Sequence, residues 1–386
     1  MATRIFEPVD AAGVATALKE AAGDSLSVAV RGAGTKIVPP ASDVVISTAK
    51  MTRSIDHVAG DLVATVPAGA SLSAVNEILG RERQWLPLDP PRGHRATIGG
   101  IIATNDSGPR RHRFGAPRDL IIGIEIALVD GRIAKAGGRV VKNVAGYDLS
   151  KLMCGSFGTL AVVTSATFKL SPLAPHSQTV VATVADLKTL SALALAVSRA
   201  PVSPTAIELQ SPPHRLLVRF ETTEAAAAAQ TAIVKDLSVS HGATVTVISG
   251  QADTDAWRAH DSRIFSASGT IVKIAVLPTD AGDLLSSLHR LTDAAAIDCD
   301  IAGRGALGIV LVRLGGDTGA HAGIVGELRR DAVGRGGSLV VLSAAGAVSD
   351  TAARVGSLGD AEPIMRAVKA RFDPHHILNR GLAPWD

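Results

Sequence analysis

Cysteine is nearly absent from this chain. Cys154 and Cys299 are its only two, and neither falls in a Cys-x-x-Cys or other metal-ligand spacing. A four-cysteine iron–sulfur cluster therefore cannot be built from this chain alone. Any electrons the chain handles must leave by another route. Free thiols fit a cytoplasmic setting. Aromatic residues are scarce, at 3%, so Ala, Val, Leu and Ile must fill most of the core. Strong charge of one sign is also missing. The formal net charge is +3, and nucleic-acid binding would need a clustered basic face.

Long apolar runs are lacking too. The mean hydropathy of +0.26 is high, yet no stretch reaches the roughly 18 uncharged apolar residues of a membrane span. The longest candidates, Leu120–Val129 and Ala306–Val312, are short and read as buried strands. The N-terminal stretch carries Arg4 and Glu7 and no apolar signal core, so export is not expected.

Glycine is what the chain has, and it is densest from Thr97 to Pro172. A length of 386 residues suits two domains or three. Residues 9–22 read as an amphipathic helix, with Val9, Val14, Leu18 and Ala21 at helical spacing. Ser27–Val30, Val44–Ser47, Ile55–His57 and Val63–Val66 read as strands, and Leu72–Leu79 as a helix. Ile121–Leu128, Gly131–Ala136 and Leu160–Ala166 are strands between Gly-rich turns, and Pro172 and Pro175 mark a boundary. Beyond it, strands are expected at Thr179–Val184, Arg215–Glu221, Ala243–Ser249, Thr270–Val276, Ile309–Leu314 and Ser338–Leu342. Alanine-rich helices are expected between them, at Asp186–Ala200, Thr223–His241, Asp280–Ala295 and His321–Gly334. The fold class is α+β, with the second half read as a ferredoxin-like split βαβ layer. A helix Ile364–Phe372 ends at Asp373-Pro374. No internal repeat is visible.

Three glycine-bearing words could carry chemistry. Arg31-Gly32-Ala33-Gly34-Thr35-Lys36 follows a strand and can turn amide N–H groups toward an anion, or can be an ordinary tight turn. It is not a Walker loop, because Gly-Lys-Ser/Thr is missing, nor a nicotinamide Rossmann fingerprint. Pro87, Pro90 and Pro91 make a stiff approach to Thr97-Ile98-Gly99-Gly100, which would allow close contact with a flat ring or a pyrophosphate. Asn105 to Arg111 continues in that style, and Gly115-Ala116-Pro117 follows. Gly158 permits a tight bend before Leu160–Val163, a strand that could offer its backbone to an adenine edge.

Taken in order, these words resemble the FAD-binding domain of the vanillyl-alcohol oxidase / p-cresol methylhydroxylase (PCMH) superfamily. Within it they are most similar to the FAD-binding subunits of bacterial glycolate oxidase. Asp89-Pro90-Pro91, Ser107-Gly108-Pro109-Arg110-Arg111, Val141-Lys142-Asn143-Val144-Ala145-Gly146-Tyr147-Asp148 and the tail Phe372-Asp373-Pro374…Ile377-Leu378-Asn379 carry the likeness.

The resemblance implies a PCMH-type FAD-binding domain over 1–175, in subdomains of about 1–50 and 51–175. A cap or substrate domain would span 176–362, and a tail, 363–386, would return to the FAD domain. Arg31, Gly32, Ala33, Gly34, Thr35 and Lys36 would hold the pyrophosphate. Thr97, Gly99, Gly100, Thr104, Asn105 and Gly108 would lie along the flavin and its linker. Val162 and Val163 would meet the adenine end, and Pro90, Gly115 and Gly158 complete the cofactor set. Some relatives attach flavin through a His in the first loop. Ala33-Gly34-Thr35 has no His or Cys, so the FAD is expected to be noncovalent.

The cap departs from the resemblance. Related catalytic subunits carry a His-rich metal motif there, and Asp298–Gly308 has no His. No metal site is expected, and no catalytic residue is assigned. Arg304 and Arg313 are candidates to anchor a carboxylate, against a reading as solvent-facing charges at strand ends; the same holds for Arg258 and Arg263. Tyr147, the only tyrosine, would touch flavin or substrate, or simply pack in the core. His375-His376 reads as a surface turn.

The family resemblance therefore implies an FAD-dependent oxidoreductase acting on a small 2-hydroxy acid, as the smaller flavin subunit of a glycolate oxidase-type complex. Its implied partners are a second flavin subunit and an iron–sulfur subunit, with membrane association only through them. Two alternatives stay open: a stand-alone FAD-dependent oxidase or dehydrogenase of another alcohol, and a flavin-free scaffolding subunit.

Overall fold

The computed structural model describes residues 3–36, 41–139, 147–345, 348 and 354–383. The Val141 to Gly146 part of the family word lies outside them. The chain forms two compact units. Unit 1 comprises Met1–Gly108, Phe114–Leu173 and Leu358–Asp386, and unit 2 comprises Pro109–Arg113 and Ala174–Ser357.

Unit 1 begins with β1 (Arg4–Phe6), α1 (Ala11–Gly23), β2 (Val28–Arg31) and β3 (Val44–Ser47). The strands form a parallel sheet in the order β1-β3-β2. The Asp10 side chain caps α1 by accepting from the Gly13 N–H, which satisfies one of the helix's orphan donors. Val14, Leu18 and Ala21 then fall on one face and are buried against Val28, Val44 and Ile46.

The second part of unit 1 contains β4 (Asp56–Val58), β5 (Val63–Pro67), α2 (Leu72–Gly80), β6 (Gln84–Trp85), α3 (Ile98–Thr104) and, after the short α4 (Arg111–Phe114) whose first three residues belong to unit 2, α5 (Pro117–Leu120). It continues with β7 (Ile121–Ala127), β8 (Ile133–Gly137), α6 (Leu149–Met153), β9 (Val162–Lys169) and β10 (Ser171–Pro172). An antiparallel sheet runs β4-β5-β9-β7-β8. Residues 98–104, expected as a glycine-rich approach, are helical. Thr97 caps α3 through Gly100 N–H, and Ile98, Ile101 and Ile102 are buried. Burying three isoleucines outweighs the cost of two glycines in a helix, about 1 kcal/mol each.

Unit 2 contains β11 (His176–Thr183), α7 (Leu187–Arg199), β12 (Ala206–Ser211), β13 (Arg215–Thr222), α8 (Glu224–Ser240), β14 (Thr244–Ser249) and α9 (Gly250–Ser262). After them come β15 (Thr270–Ala275), α10 (Ala281–Ala294), β16 (Cys299–Arg304), β17 (Ile309–Leu314), α11 (His321–Gly334) and β18 (Ser338–Ser343). All eight strands form one sheet, β14-β11-β13-β12-β16-β17-β15-β18. The order reveals a duplication. β11 to β14 and β15 to β18 are each a βαββαβ motif with the ferredoxin-like strand order. The two are joined edge to edge where Leu209 pairs with Gly303. The expected single split-βαβ layer is thus present twice, although no repeat shows in the residues.

Alternation along the strands separates two faces. Leu216, Val218 and Phe220 enter the main core of unit 2, while Arg219 and Glu221 lie on the other face with Glu208. Pro109–Arg113 joins unit 2 through a bidentate pair: Arg110 donates to Glu221 at 2.9 and 2.6 Å. Burial works to raise the Glu221 pKa, but the Arg110 hydrogen bond and the Arg110 and Arg219 charges outweigh it, and the pKa falls below the usual 4.5. A depressed carboxylate stabilises the fold above its unfolded pKa, and that stability is lost as pH falls through the folded pKa. Arg110→Met is therefore expected to cost about 3 kcal/mol near neutrality by leaving a part-buried carboxylate short of a partner. The gap to wild type should narrow as pH drops below about 4.5. Urea unfolding across pH 3–7 checks this; a gap independent of pH would refute the pairing argument.

Residues 358–383 return to unit 1. α12 (Glu362–Phe372) leads to Leu378, which forms a parallel bridge with Val28 of β2.

Candidate cofactor cleft

Unit 1 holds an open cleft, a concave surface of the kind that small molecules and cofactors use. One wall is the end of β2 and the loop behind it, from Val30 and Arg31 to Lys36. The floor is α3 with Thr97, Gly99, Gly100, Ala103 and Thr104. The far wall is Ser156, Phe157 and Gly158, then Ala161, Val162 and Val163, with Asn379 and Leu382 from the tail.

The first loop is built as an anion cradle. Among the described residues, no acceptor takes the N–H of Gly32, Ala33, Gly34 or Thr35. Successive backbone N–H groups left in this state form a concavity that suits a phosphate. Gly34 has φ +68°, a conformation that favours glycine. A Cβ on Gly32 would lie 2.2 Å from Thr97 Oγ1, so only glycine lets the loop pass this close to α3. Arg31 is exposed at the mouth and forms no ion pair among the described residues.

Lys36 behaves differently. Its ammonium donates to Asp106 Oδ2 and to the Pro91 carbonyl, each at 2.6 Å. The lysine thus staples the loop to the proline-rich approach, and its charge is spent there. Gly99 also spends its N–H, on the Ala68 carbonyl. What α3 offers a ligand is a close, smooth surface rather than donors. At the far end, β5 pairs with β9 only as far as Ser165. The edge at Val162 and Val163 lies past that ladder.

The structure brings together Arg31 to Lys36, Thr97, Gly99, Gly100, Thr104, Gly158, Val162 and Val163. Pro90, Asn105, Gly108 and Gly115 do not line the cleft. Asn105 ends α3 at φ 47°, and its Oδ1 accepts from Arg118 N–H. Gly108 lies against Asp89, where a Cβ would be 1.8 Å from the carbonyl oxygen. Gly115, at φ +84°, packs on Asp119. Sequence reasoning missed Ser156, Phe157, Asn379 and Leu382; the tail word named Asn379, but nothing local to it signals a cleft.

Among the described residues, no Asp, Glu, His, Cys or Tyr lines the cleft. The side chains that do line it can bind and orient a ligand. Tyr147 is 91% exposed, so the core-packing reading is corrected: its ring faces solvent. Both cysteines are free, and burial pushes each thiol up to about 12.

In unit 2 three of the four arginine candidates, Arg263, Arg304 and Arg313, are not solvent-facing, because the face opposite the core carries their partners. Arg304 is 5% exposed, with Nε 3.8 Å from Glu208 Oε1. Glu208 Oε2 lies 2.9 Å from His260 Nε2. Arg313 and Arg263 share Asp300. Arg258 does face solvent, paired with Asp255. His375 and His376 are exposed. Among the described residues no group of His, Cys, Asp or Glu is placed to hold a metal ion, and no helix is long and apolar enough to cross a membrane.

Residues 2–137 match the model of the FAD binding domain. The chain is 26% identical to glycolate oxidase subunit GlcD of Bacillus subtilis, over 91% of this chain and 82% of that protein. It is 43% identical to glycolate oxidase subunit GlcE of Escherichia coli over 29% of this chain and 32% of that protein. Other curated relatives, a D-lactate dehydrogenase of Archaeoglobus fulgidus among them, are matched over less than half of their length. The solved structure of an alkyldihydroxyacetonephosphate synthase shares the fold, with a TM-score of 0.73 over 97% of this chain and 75% of that one at 16% identity.

Proposed function

From the match of residues 2–137 to the FAD binding domain and the likeness to glycolate oxidase subunits, we propose that the chain is a PCMH-type FAD-binding oxidoreductase that holds FAD noncovalently in this cleft and takes part in oxidising a 2-hydroxy acid. The observation that carries the assignment is the run of uncommitted N–H groups at Gly32, Ala33, Gly34 and Thr35. They would hold the pyrophosphate, with the exposed Arg31 beside it. Gly99, Gly100 and Ala103 would let the linker and ring lie flat on α3. Val162 and Val163 would offer their strand edge to the adenine. Among the described residues, the cleft lining has no nucleophilic His or Cys to attach the flavin.

Bound FAD supplies two-electron uptake from the alcohol carbon. The chain's own residues bind and orient; among the described residues no carboxylate, imidazole, thiol or phenol lines the cleft to take the hydroxyl proton. Two cysteines cannot ligate a four-cysteine iron–sulfur cluster. This favours the role of a flavin-bearing subunit in a glycolate oxidase-type complex, passing electrons to a partner. The two glycolate oxidase subunits among the relatives support the same reading.

The test is direct. The purified chain should be yellow, with a flavin absorbance band that is released by denaturation. In the absence of oxygen, glycolate or D-lactate should bleach the band only when a catalytic partner subunit is present. Bleaching by the isolated chain would favour a stand-alone enzyme. A colourless protein that takes up no added FAD would remove the flavin reading altogether.

A further inference from the structure

We infer that Asn379 is the positioning residue of the cofactor cleft: this tail-borne amide sets the spacing of the two glycine-rich loops, so that cofactor binding and tail docking form one coupled equilibrium. The inference rests on the FAD reading above.

Asn379 is 3% exposed and spends its side chain at both ends. Oδ1 accepts from the Val30 N–H at 2.8 Å, immediately before the Arg31 to Lys36 loop. Nδ2 donates to the Phe157 carbonyl at 2.7 Å, in the middle of the Gly155 to Gly158 loop. A carboxamide is the one short side chain with both an acceptor and a donor in this geometry. Its own N–H donates to the Val28 carbonyl at 2.8 Å, with φ 45°, a conformation Asn tolerates better than most residues.

The opposite loop is fitted to this contact. A Cβ on Gly158 would lie 2.6 Å from Asn379 Nδ2, so the approach depends on glycine. Phe157 has φ 55°, which strains a bulky side chain. Such strain persists only where the surroundings over-determine it. Two ties do so here: the Phe157 N–H donates to the Ala103 carbonyl at 2.7 Å, and its carbonyl is held by Asn379. Without the amide, one tie is lost and the wall of the cleft can relax.

Coupling is reciprocal: the factor by which the docked tail tightens FAD is the factor by which FAD tightens the tail. The experiment uses the full chain. Asn379→Gly keeps the positive φ at little cost and deletes only the amide. FAD affinity is read by flavin fluorescence titration, and tail docking by tryptic cleavage at the exposed Arg371 and Arg380. Cleavage at Arg258 in unit 2 serves as the control. In the wild type, FAD should slow cleavage at the tail sites and not at Arg258. In the variant, FAD affinity should fall roughly ten-fold, the loss of about one well-formed hydrogen-bond pair, and tail protection should fall by a similar factor.

A variant that binds FAD within two-fold of wild type overturns the inference, even if its melting temperature is lower. If the variant does not fold, the wild type still decides, because equal FAD protection at the tail and at Arg258 also overturns it. A wild-type chain that binds no FAD would instead sink the reading on which the inference rests.

Discussion

Lys369→Met is expected to lower the unfolding free energy of unit 1 by about 3–5 kcal/mol, the usual result of stranding a buried charge. Lys369 and Asp373 are 2% and 0% exposed. The Lys369 ammonium donates to Thr159 O at 2.8 Å, Asp373 Oδ2 at 2.6 Å and Leu378 O at 3.3 Å. Asp373 also accepts from the Ile377 and Leu378 N–H groups. Every proton of the ammonium is used, and the carboxylate organises the turn that brings the tail back to β2. Many buried pairs can be replaced by two apolar residues at little cost. This one should not follow that pattern. In a Lys369→Met/Asp373→Leu double variant, the N–H groups of Ile377 and Leu378 would remain buried without acceptors. Urea unfolding followed by circular dichroism checks both variants. Recovery of wild-type stability by the double variant would show that the pair has no role in shaping the turn.

Gly32→Val should abolish FAD retention, with affinity reduced at least about 100-fold, or about 2.7 kcal/mol. Any Cβ at this position collides with the hydroxyl that caps α3. The loop must then move away from the floor, or the cap must break. Either change disperses the N–H groups that face the pyrophosphate. Gly34 makes the contrast. Its added Cβ would meet nothing nearer than Arg31 Cδ at 3.9 Å, so Gly34→Ala suffers only the backbone penalty of positive φ, roughly 1 kcal/mol. The flavin content of the purified variants, measured by absorbance after denaturation, distinguishes the two. Equal retention in Gly32→Val and wild type would remove the loop from the cofactor site.

Much of the architecture was legible from local pattern. α1, α2, β3, β17 and α11 fall where apolar periodicity places them, because each buries a single continuous face. The elements that escaped share a physical cause. β12 carries Glu208 and Gln210, and β16 carries Asp300 and Arg304, on the face opposite the core. These polar residues hide the strand pattern, and only tertiary partners make them tolerable. α9 buries Asp253, Trp257 and His260 at helical spacing, but two of the three are polar, so no apolar stripe announces it. Asp253 is satisfied by Ser177, Thr179 and Arg219, all from other strands. The duplication of the βαββαβ motif was equally hidden, since strand order is a property of pairing and leaves no shared residue pattern.

The amino-acid sequence by itself pointed to the cofactor class, through the family resemblance that its glycine-bearing words carry when taken in order. It also determined that the electrons cannot leave through a cluster of the chain's own cysteines. The tertiary structure alone decided how the cleft is assembled. The Lys36 ammonium goes to Asp106 and Pro91, Arg110 goes to unit 2, and Asn379 reaches Val30 and Phe157 across 349 and 222 positions of chain. The reason is one of range. Glycine conformation is a local property and can be read in place, whereas the partner of a charged or amide side chain is whatever the completed fold brings within hydrogen-bond distance.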